Sequence, residues 1–156
     1  MSKISDVRDE ILSILDTILP AASGWRRLPN PYVIDQNTYL QLQKGYAVRS
    51  DAGLNTERVI TNQCEVTWER IFTIIVVRQM TATQNNVDSR DAIDQSLLDD
   101  IELIHKTFEL NHALNGKAIK CIPVSDSGVN FIDAERLKFL STEINLRVEY
   151  KFDQNI

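Results

Sequence analysis

The chain has 156 residues, of which 43% are hydrophobic and 25% are charged, values close to the average of globular domains. They exclude collagen-like, low-complexity and broadly disordered chains. The 17 basic and 22 acidic residues give a net charge of −5, which argues against a nucleic-acid binder driven by neutralisation of phosphates.

The N-terminal residues carry no targeting signal that the sequence reveals. Met1 to Asp6 mixes polar and acidic side chains and lacks the apolar core of a signal peptide. No apolar run in the chain reaches the length of a membrane span, about 18 residues. We therefore expect a protein that is made and used in a cytosol, without a membrane partner.

The first predicted element is a helix from Ser5 to Leu19. Apolar residues recur there at three- and four-residue spacing with charged residues between them, which indicates one buried stripe. Ser5 can cap the N-terminus, and Pro20 ends the helix. The stripe comprises Ile4, Val7, Ile11, Ile14, Leu15 and Ile18.

A connecting loop is predicted from Ala21 to Asn37, because this segment has a glycine, two prolines and no periodicity. Within it, Trp25, Arg26 and Arg27 form a candidate partner-contact loop that could bind phosphate or another protein. The alternative is that Trp25 fixes the loop to the core and the arginines beside it are solvated.

Two strands are predicted next. Leu40 to Arg49 alternates apolar and polar residues. In Cys64 to Met80 the even-numbered residues are mostly apolar and the odd-numbered residues are partly apolar. The middle of this strand should therefore be covered on both faces of the sheet. This segment would be about 56 Å long at roughly 3.3 Å per residue, which exceeds ordinary strands. We therefore expect that a bulge divides it or that its first part projects as one arm of a hairpin.

The segment from Ser50 to Gln63 links these strands and is polar apart from one Val-Ile pair. A projecting hairpin on a small domain needs a surface to contact, and another subunit is the usual one. The candidate subunit-contact arm comprises Arg49, Asp51, Leu54, Glu57, Arg58, Val59 and Ile60.

A second helix is predicted from Ser89 to Asn111, with Asp88 or Ser89 as its N-cap. Six acidic residues between Asp88 and Glu102 suit the positive end of the helix dipole. The predicted buried stripe comprises Ile93, Leu97, Ile101, Ile104 and Phe108, with Leu98 beside it.

Three short elements and a long strand complete the chain. We predict strands from Ile119 to Val124 and from Val129 to Ile132, with a turn over 125–128 between them. A single helical turn is predicted over Asp133 to Leu137, followed by a clearly alternating strand from Thr142 to Phe152. The 156 residues therefore predict a single α+β domain: a mostly antiparallel sheet with a long projecting hairpin and two helices packed on one face.

No constellation of reactive residues stands out, so we predict no enzyme, no metal site and no cofactor. Cys64 and Cys121 are expected to be buried, reduced thiols rather than a disulfide. His105 lies beside the stripe of the second helix and His112 near its end. A catalytic pair of Cys121 and His105 is the disfavoured alternative.

The acidic residues of the second helix are a second candidate for chemistry. They share helical faces only in pairs, Asp91 with Asp99 and Asp94 with Glu102. Two carboxylates on a face are a weak basis for a divalent-cation site, and a solvated helix face is favoured.

In size and element order the chain resembles the tail-terminator (tail-completion) proteins of long-tailed bacteriophages. The likeness extends over nearly the whole chain and includes no catalytic residue. Four stretches show it: the first helix running into Leu19-Pro20 and Gly24-Trp25, the strand Lys44 to Val48 before a polar loop, the strand Trp68 to Ile74 before an acidic helix, and the final strand Ile144 to Tyr150.

The resemblance implies a structural virion protein, assembled in the host cytoplasm, that forms a hexameric ring at the head-proximal end of the tail. Such a ring caps the tail tube, stops polymerisation of the tube protein and presents a surface to the head-side connector or head-completion protein. Double-stranded DNA passes through without sequence-specific binding, and an acidic wall would let it slide. The alternatives are another head–tail neck component, such as a head-completion or connector adaptor protein, and a small non-enzymatic α+β ligand-binding module.

Overall fold

The computed structural model describes residues 4–28, 43–55, 65–80, 87–134 and 137–153. Two α-helices and six strands account for most of them. In chain order they are α1 (Ile4–Ile18), β1 (Trp25–Arg27), β2 (Lys44–Asn55), β3 (Glu65–Met80), α2 (Val87–Leu110), β4 (Lys120–Asp126), β5 (Asn130–Ala134) and β6 (Leu137–Asp153), with 3-10 turns at Ala21–Ser23 and Leu114–Gly116.

The six strands form one sheet in the order β1-β2-β3-β6-β4, with β5 also paired to β6. The β1–β2 pair is parallel, and every other pair is antiparallel. Because β3 occupies one side of β6 along its length, β4 and β5 both lie on the opposite side. The prediction of an α+β fold with a mostly antiparallel sheet is confirmed.

Both helices pack on the same face of the sheet, as predicted. The apolar stripe of α1 and that of α2 belong to one buried cluster, which they share with even-numbered residues of β2, β3 and β6. Each of these large side chains contributes about 1.5–3 kcal/mol by leaving water. The central members of the cluster include Val7, Ile11, Leu15, Tyr46, Phe72, Ile74, Leu97, Ile104, Phe108, Ile144 and Leu146.

A second, smaller cluster is buried on the sheet face away from the helices. It contains Ala47 from β2, Ile75 and Val77 from β3, and Phe139 from β6, together with Leu28. The middle of β3 is therefore covered on both faces, which confirms the prediction from its two apolar parities.

The long strand β3 is not divided by a bulge. Its pairing with β6 runs without interruption from Glu65 opposite Asp153 to Met80 opposite Lys138. The irregularity lies instead on β2, where the register shifts between Ser50 and Gly53. The far part of the predicted hairpin is thus backed by β6 as a third strand, which supplies backbone partners that two projecting strands alone would lack.

Arg70 stabilises this bulge. A bulge leaves a backbone group without its ladder partner, and Nη1 of Arg70 donates a hydrogen bond of 2.6 Å to the carbonyl of Asp51. Gly53 leaves room for the guanidinium, since a Cβ at this position would lie 2.7 Å from Nη2 of Arg70. The bulge therefore depends on one arginine and one glycine.

Two predicted strand ends are wrong, because the strands continue into polar residues that were assigned to a link and to a turn. Ser50 to Asn55, predicted as part of the polar link, continue β2 opposite β3. Ser125 and Asp126, predicted in the turn over 125–128, belong to β4 and pair with β6. Backbone pairing stabilises such residues in a strand even where their side chains contact water.

The predicted helical turn over Asp133 to Leu137 is also wrong. Asp133 and Ala134 end β5, and Leu137 begins β6, with Ala134 opposite Leu137. Pairing with the start of the long strand β6 overrides the local helical preference of this short segment.

Candidate interaction edge of the sheet

The described residues of both candidate contact sets lie on the β1–β2 side of the sheet. β1 pairs with only the first residues of β2, from Trp25 opposite Lys44 to Arg27 opposite Tyr46. Beyond that point no strand among the described residues pairs with the outer side of β2. We call this stretch, Ala47 to Asn55, the open edge. Unpaired N–H and C=O groups of an edge strand can bind another chain.

The predicted loop around Trp25 is a strand, which corrects the prediction of a structureless connection from Ala21 to Asn37. Trp25 is buried and its ring packs against that of Tyr46 with centroids 6.4 Å apart. Lys44 Nζ and Arg78 Cζ lie 5.3 and 4.9 Å from the Trp25 ring centroid, distances suited to cation–π attraction. Trp25 therefore anchors β1 to the core, as the alternative interpretation holds.

Arg26 and Arg27 are both exposed, and Arg26 is the one whose guanidinium has no acidic partner among the described residues. Its Nη1 donates hydrogen bonds to the carbonyls of Ala21 at 3.1 Å and of Trp25 at 2.8 Å. No carboxylate among the described residues pairs with it. Its charge is therefore uncompensated on the surface of β1.

Arg27 belongs to a polar cluster that ties β1 and β2 to α1. Its Nε lies 2.9 Å from Oδ1 of Asp16, and its Nη2 contacts Oδ2. The Tyr46 hydroxyl donates to the same carboxylate. The hydrogen bond from Arg27 lowers the pKa of Asp16. Burial, followed by the bond to Asp16, raises the pKa of Tyr46 to about 12.

We expect Asp16→Asn to weaken the acid dependence of stability. Because the pKa of Asp16 is depressed in the folded state, its contribution is complete above the ordinary value of 3.8 and is lost as pH falls through the lower folded-state pKa. Urea unfolding at a series of pH values should show a smaller loss for the variant than for the unmodified chain below about pH 4. Asp9→Asn, on the exposed side of the same helix, is the control. Parallel curves for the unmodified chain and Asp16→Asn would contradict the expectation.

Arg49 and Asp51 of the candidate arm face away from the helices and contact each other. Arg49 Nε lies 3.5 Å from Asp51 Oδ1, and Arg49 Nη2 lies 3.6 Å from Glu143 Oε2 on β6. The Thr73 hydroxyl lies 2.8 Å from Asp51 Oδ2 and 2.9 Å from Asn145 Oδ1. These side chains form a polar network across three strands beside the open edge.

The remaining arm residues are placed only in part. The backbone of Leu54 lies in β2 opposite Glu69. Glu57, Arg58, Val59 and Ile60 lie outside the described residues.

Two clefts that the sequence analysis missed lie at opposite sides of the sheet. The basic cleft, about 230 Å³, is lined by Arg8, Leu12, Arg27, Leu28, Tyr46, Ala47 and Val48. The acidic cleft, about 190 Å³, is lined by Met80, Asp91, Asp94, Phe131 and Leu140. Each combines residues from three or more elements, so no local sequence pattern could indicate it. Both are smaller than the roughly 300–1,000 Å³ of ordinary ligand pockets.

His105 Nε2, the ring nitrogen that could activate a thiol, makes no hydrogen bond to Cys121. Cys121 is a buried free thiol, and burial raises its pKa to about 12, so it is not a ready nucleophile. His105 Nε2 lies 3.7 Å from Asp126 Oδ2 on β4, and His112 is exposed. Cys64 lies outside the described residues.

Neither a metal centre nor a membrane-spanning helix is found among the described residues. No group of three or more His, Cys, Asp or Glu side chains there could hold a metal ion. No helix in the same part of the chain is long and apolar enough to cross a bilayer. Comparison with known proteins adds no family: no family model and no curated protein matches the chain.

Proposed function

We propose that this protein is a tail terminator of a long-tailed bacteriophage, a structural virion protein that forms a hexameric ring on the head-proximal end of the tail tube. The observation that supports this proposal is the open edge of β2. It lies beside the basic residues of β1, and its backbone groups can pair with another chain. The element order of the fold agrees with the order on which the resemblance rests.

A terminator needs two kinds of contact. Lateral contacts between copies close a ring, and an axial contact matches the subunits of the tube on one face only. The other face lacks the polymerising surface, so one heterologous contact is satisfied and growth stops. Weak lateral contacts suffice, because the tube end aligns the subunits and raises their effective concentration.

Adding the purified protein to growing tail tubes tests the proposal. We expect elongation to halt, with the protein visible by electron microscopy at one end of each tube. An equal amount of an unrelated acidic protein of similar size is the control. Tubes of unregulated length in the presence of this protein, or protein bound along the tube wall, would contradict a terminator.

The same experiment separates the terminator from a second neck component. A head-completion or connector adaptor protein would leave tube growth unchanged and bind the head-side connector instead. We favour the terminator because the resemblance extends over nearly the whole chain.

A further inference from the structure

We propose that copies of this chain associate head to tail, with Phe131 of one copy inserted into the basic cleft of the next. Asp91 and Asp94 beside Phe131 would then face Arg8 at the rim of that cleft. This inference rests on the proposed function, since a ring provides each copy with two neighbours.

Phe131 forms an apolar projection on the β5 side of the sheet. Its side chain is 52% exposed although it is a large hydrophobic residue. It lies opposite Leu140 of β6, whose side chain belongs to the cluster on the helix face. Asp91 and Asp94 of α2 line the same acidic cleft, and neither carboxylate has an ion pair among the described residues. Phe131 is thus an exposed aromatic side chain with unpaired negative charge beside it.

The basic cleft offers the complementary shape and charge. Its apolar lining residues are Leu12 of α1, Leu28, and Ala47 and Val48 of β2. Its volume is about 230 Å³, which is enough for a phenyl ring, since a cavity of roughly 150 Å³ binds benzene. A buried aromatic anchor of this kind commonly contributes much of the energy of an interface.

Arg8 is the rim residue that is available to a neighbour. Its side chain is 50% exposed, and its ion pair is the 3.3 Å contact with the adjacent Asp9. Such exposed pairs contribute little, so Arg8 can turn to a carboxylate of another copy. Arg27, the second rim residue, is already bound by Asp16.

The positions of these two features determine the kind of assembly. The basic cleft lies beside β1 and β2, and Phe131 lies on β5 across four strand spacings, roughly 19 Å at about 4.8 Å each. Because the proposed contact joins the Phe131 surface of one copy to a different surface, the basic cleft, of the next, it is heterologous, that is, head to tail. It leaves one free surface at each end and propagates until the ring closes. Phe131 lies on the helix side of the sheet, whereas the basic cleft extends around the β1–β2 edge and is lined from both faces, by Leu12 of α1 and by Leu28 and Ala47 of the second cluster.

Reversal of the paired charges tests the contact. Arg8→Asp and Asp94→Arg, made singly, should each raise the concentration for half-assembly at least tenfold in analytical ultracentrifugation. Both changes in one chain should restore assembly, because each reversed surface then meets a reversed partner. Lys117→Asp and Asp99→Arg, exposed positions outside both clefts, are the matched controls and should assemble normally.

The aromatic anchor is tested separately. Phe131→Ser should also raise the concentration for half-assembly at least tenfold. Leu110→Ser, at a residue 86% exposed near the end of α2, should not. Normal assembly of Phe131→Ser, or failure of the double charge reversal to restore assembly, overturns the proposed contact.

Cysteine cross-linking tests the head-to-tail geometry. A chain that carries both Arg8→Cys and Asp94→Cys should form disulfide-linked trimers and longer species under mild oxidation, because its two cysteines meet two different neighbours. Linked species that stop at dimers for this double variant, or dimers from either single variant above the level of the unmodified protein, would indicate a two-fold contact and overturn the proposal.

These experiments distinguish a failure of the proposed contact from a failure of the proposed function. Tube capping that charge reversal leaves unaffected overturns the contact and retains the terminator. Rings that respond to charge reversal but do not cap tubes support the contact and contradict the terminator. A chain that neither associates in solution nor on tube ends overturns both.

Discussion

Replacing Arg78 with leucine is expected to lower the free energy of unfolding by about 3–5 kcal/mol. Arg78 of β3 binds Asp100 of α2 through two bonds, Nε to Oδ2 at 2.6 Å and Nη2 to Oδ1 at 2.9 Å. The two side chains are only 17% and 9% exposed. Without Arg78, the Asp100 carboxylate stays buried with no ion-pair partner among the described residues, and the Trp25 ring loses one of the two cations near it.

The matched control removes both charges. Arg78→Leu combined with Asp100→Leu should recover most of the loss, because two apolar side chains of similar size replace the pair without leaving a buried charge. Urea unfolding of the unmodified chain, the single variant and the double variant measures both quantities. A single variant that loses less than about 1 kcal/mol would show that water solvates Asp100 as well as Arg78 does.

Phe72→Ala should be comparably severe, with a loss of about 3–5 kcal/mol. Phe72 is fully buried in the central strand β3, where it belongs to the cluster shared by both helices. Truncation leaves a cavity that neighbouring strands and helices cannot collapse to fill. Thermal and urea unfolding should agree on the size of the loss.

Phe131→Ala is the control for Phe72→Ala, because it truncates the same side chain at an exposed position. Because Phe131 is half-exposed, its truncation should lower the stability of the isolated chain by no more than about 1.5 kcal/mol, half of what a fully buried side chain contributes. A loss as large as that of Phe72→Ala would show that Phe131 belongs to the core of its own chain, and would remove it as a contact between copies.

The helices and long strands were predictable because an element that is buried on a fixed face has apolar residues at a regular spacing in the sequence. The apolar stripe of α1 and the apolar–polar alternation of β6 each indicate an element that is buried on one face. In β3, apolar residues at both odd and even positions indicate burial on both faces. The bulge in β2 was not predictable in the same way. After Gly53 the pairing with β3 is shifted by one residue, and its stabilisation by Arg70 joins residues distant in sequence.

The residues of the candidate site could be predicted from the sequence, but their positions relative to one another in the fold could not. Three polar and aromatic residues, Trp25 to Arg27, gave no strand signal, because their strand exists only through pairing with Lys44 to Tyr46. That pairing brings the predicted contact loop and the start of the predicted arm to one side of the sheet. The two clefts depend on packing between separate elements, so their charges could be read from the sequence but their shapes could not.

The central position of β6 has a consequence for biosynthesis. β6 follows every other strand in the chain but lies between β3 on one side and both β4 and β5 on the other. While the polypeptide emerges from the ribosome, β3 lacks one neighbour, and β4 and β5 have no sheet to join. The pairing of β3 with β6, from Met80 opposite Lys138 to Glu65 opposite Asp153, also closes a long stretch of chain, which slows folding. Nascent chains on a crowded polysome would thus complete the surface that carries Phe131 only after β6 has been made, which delays self-association until the fold is complete.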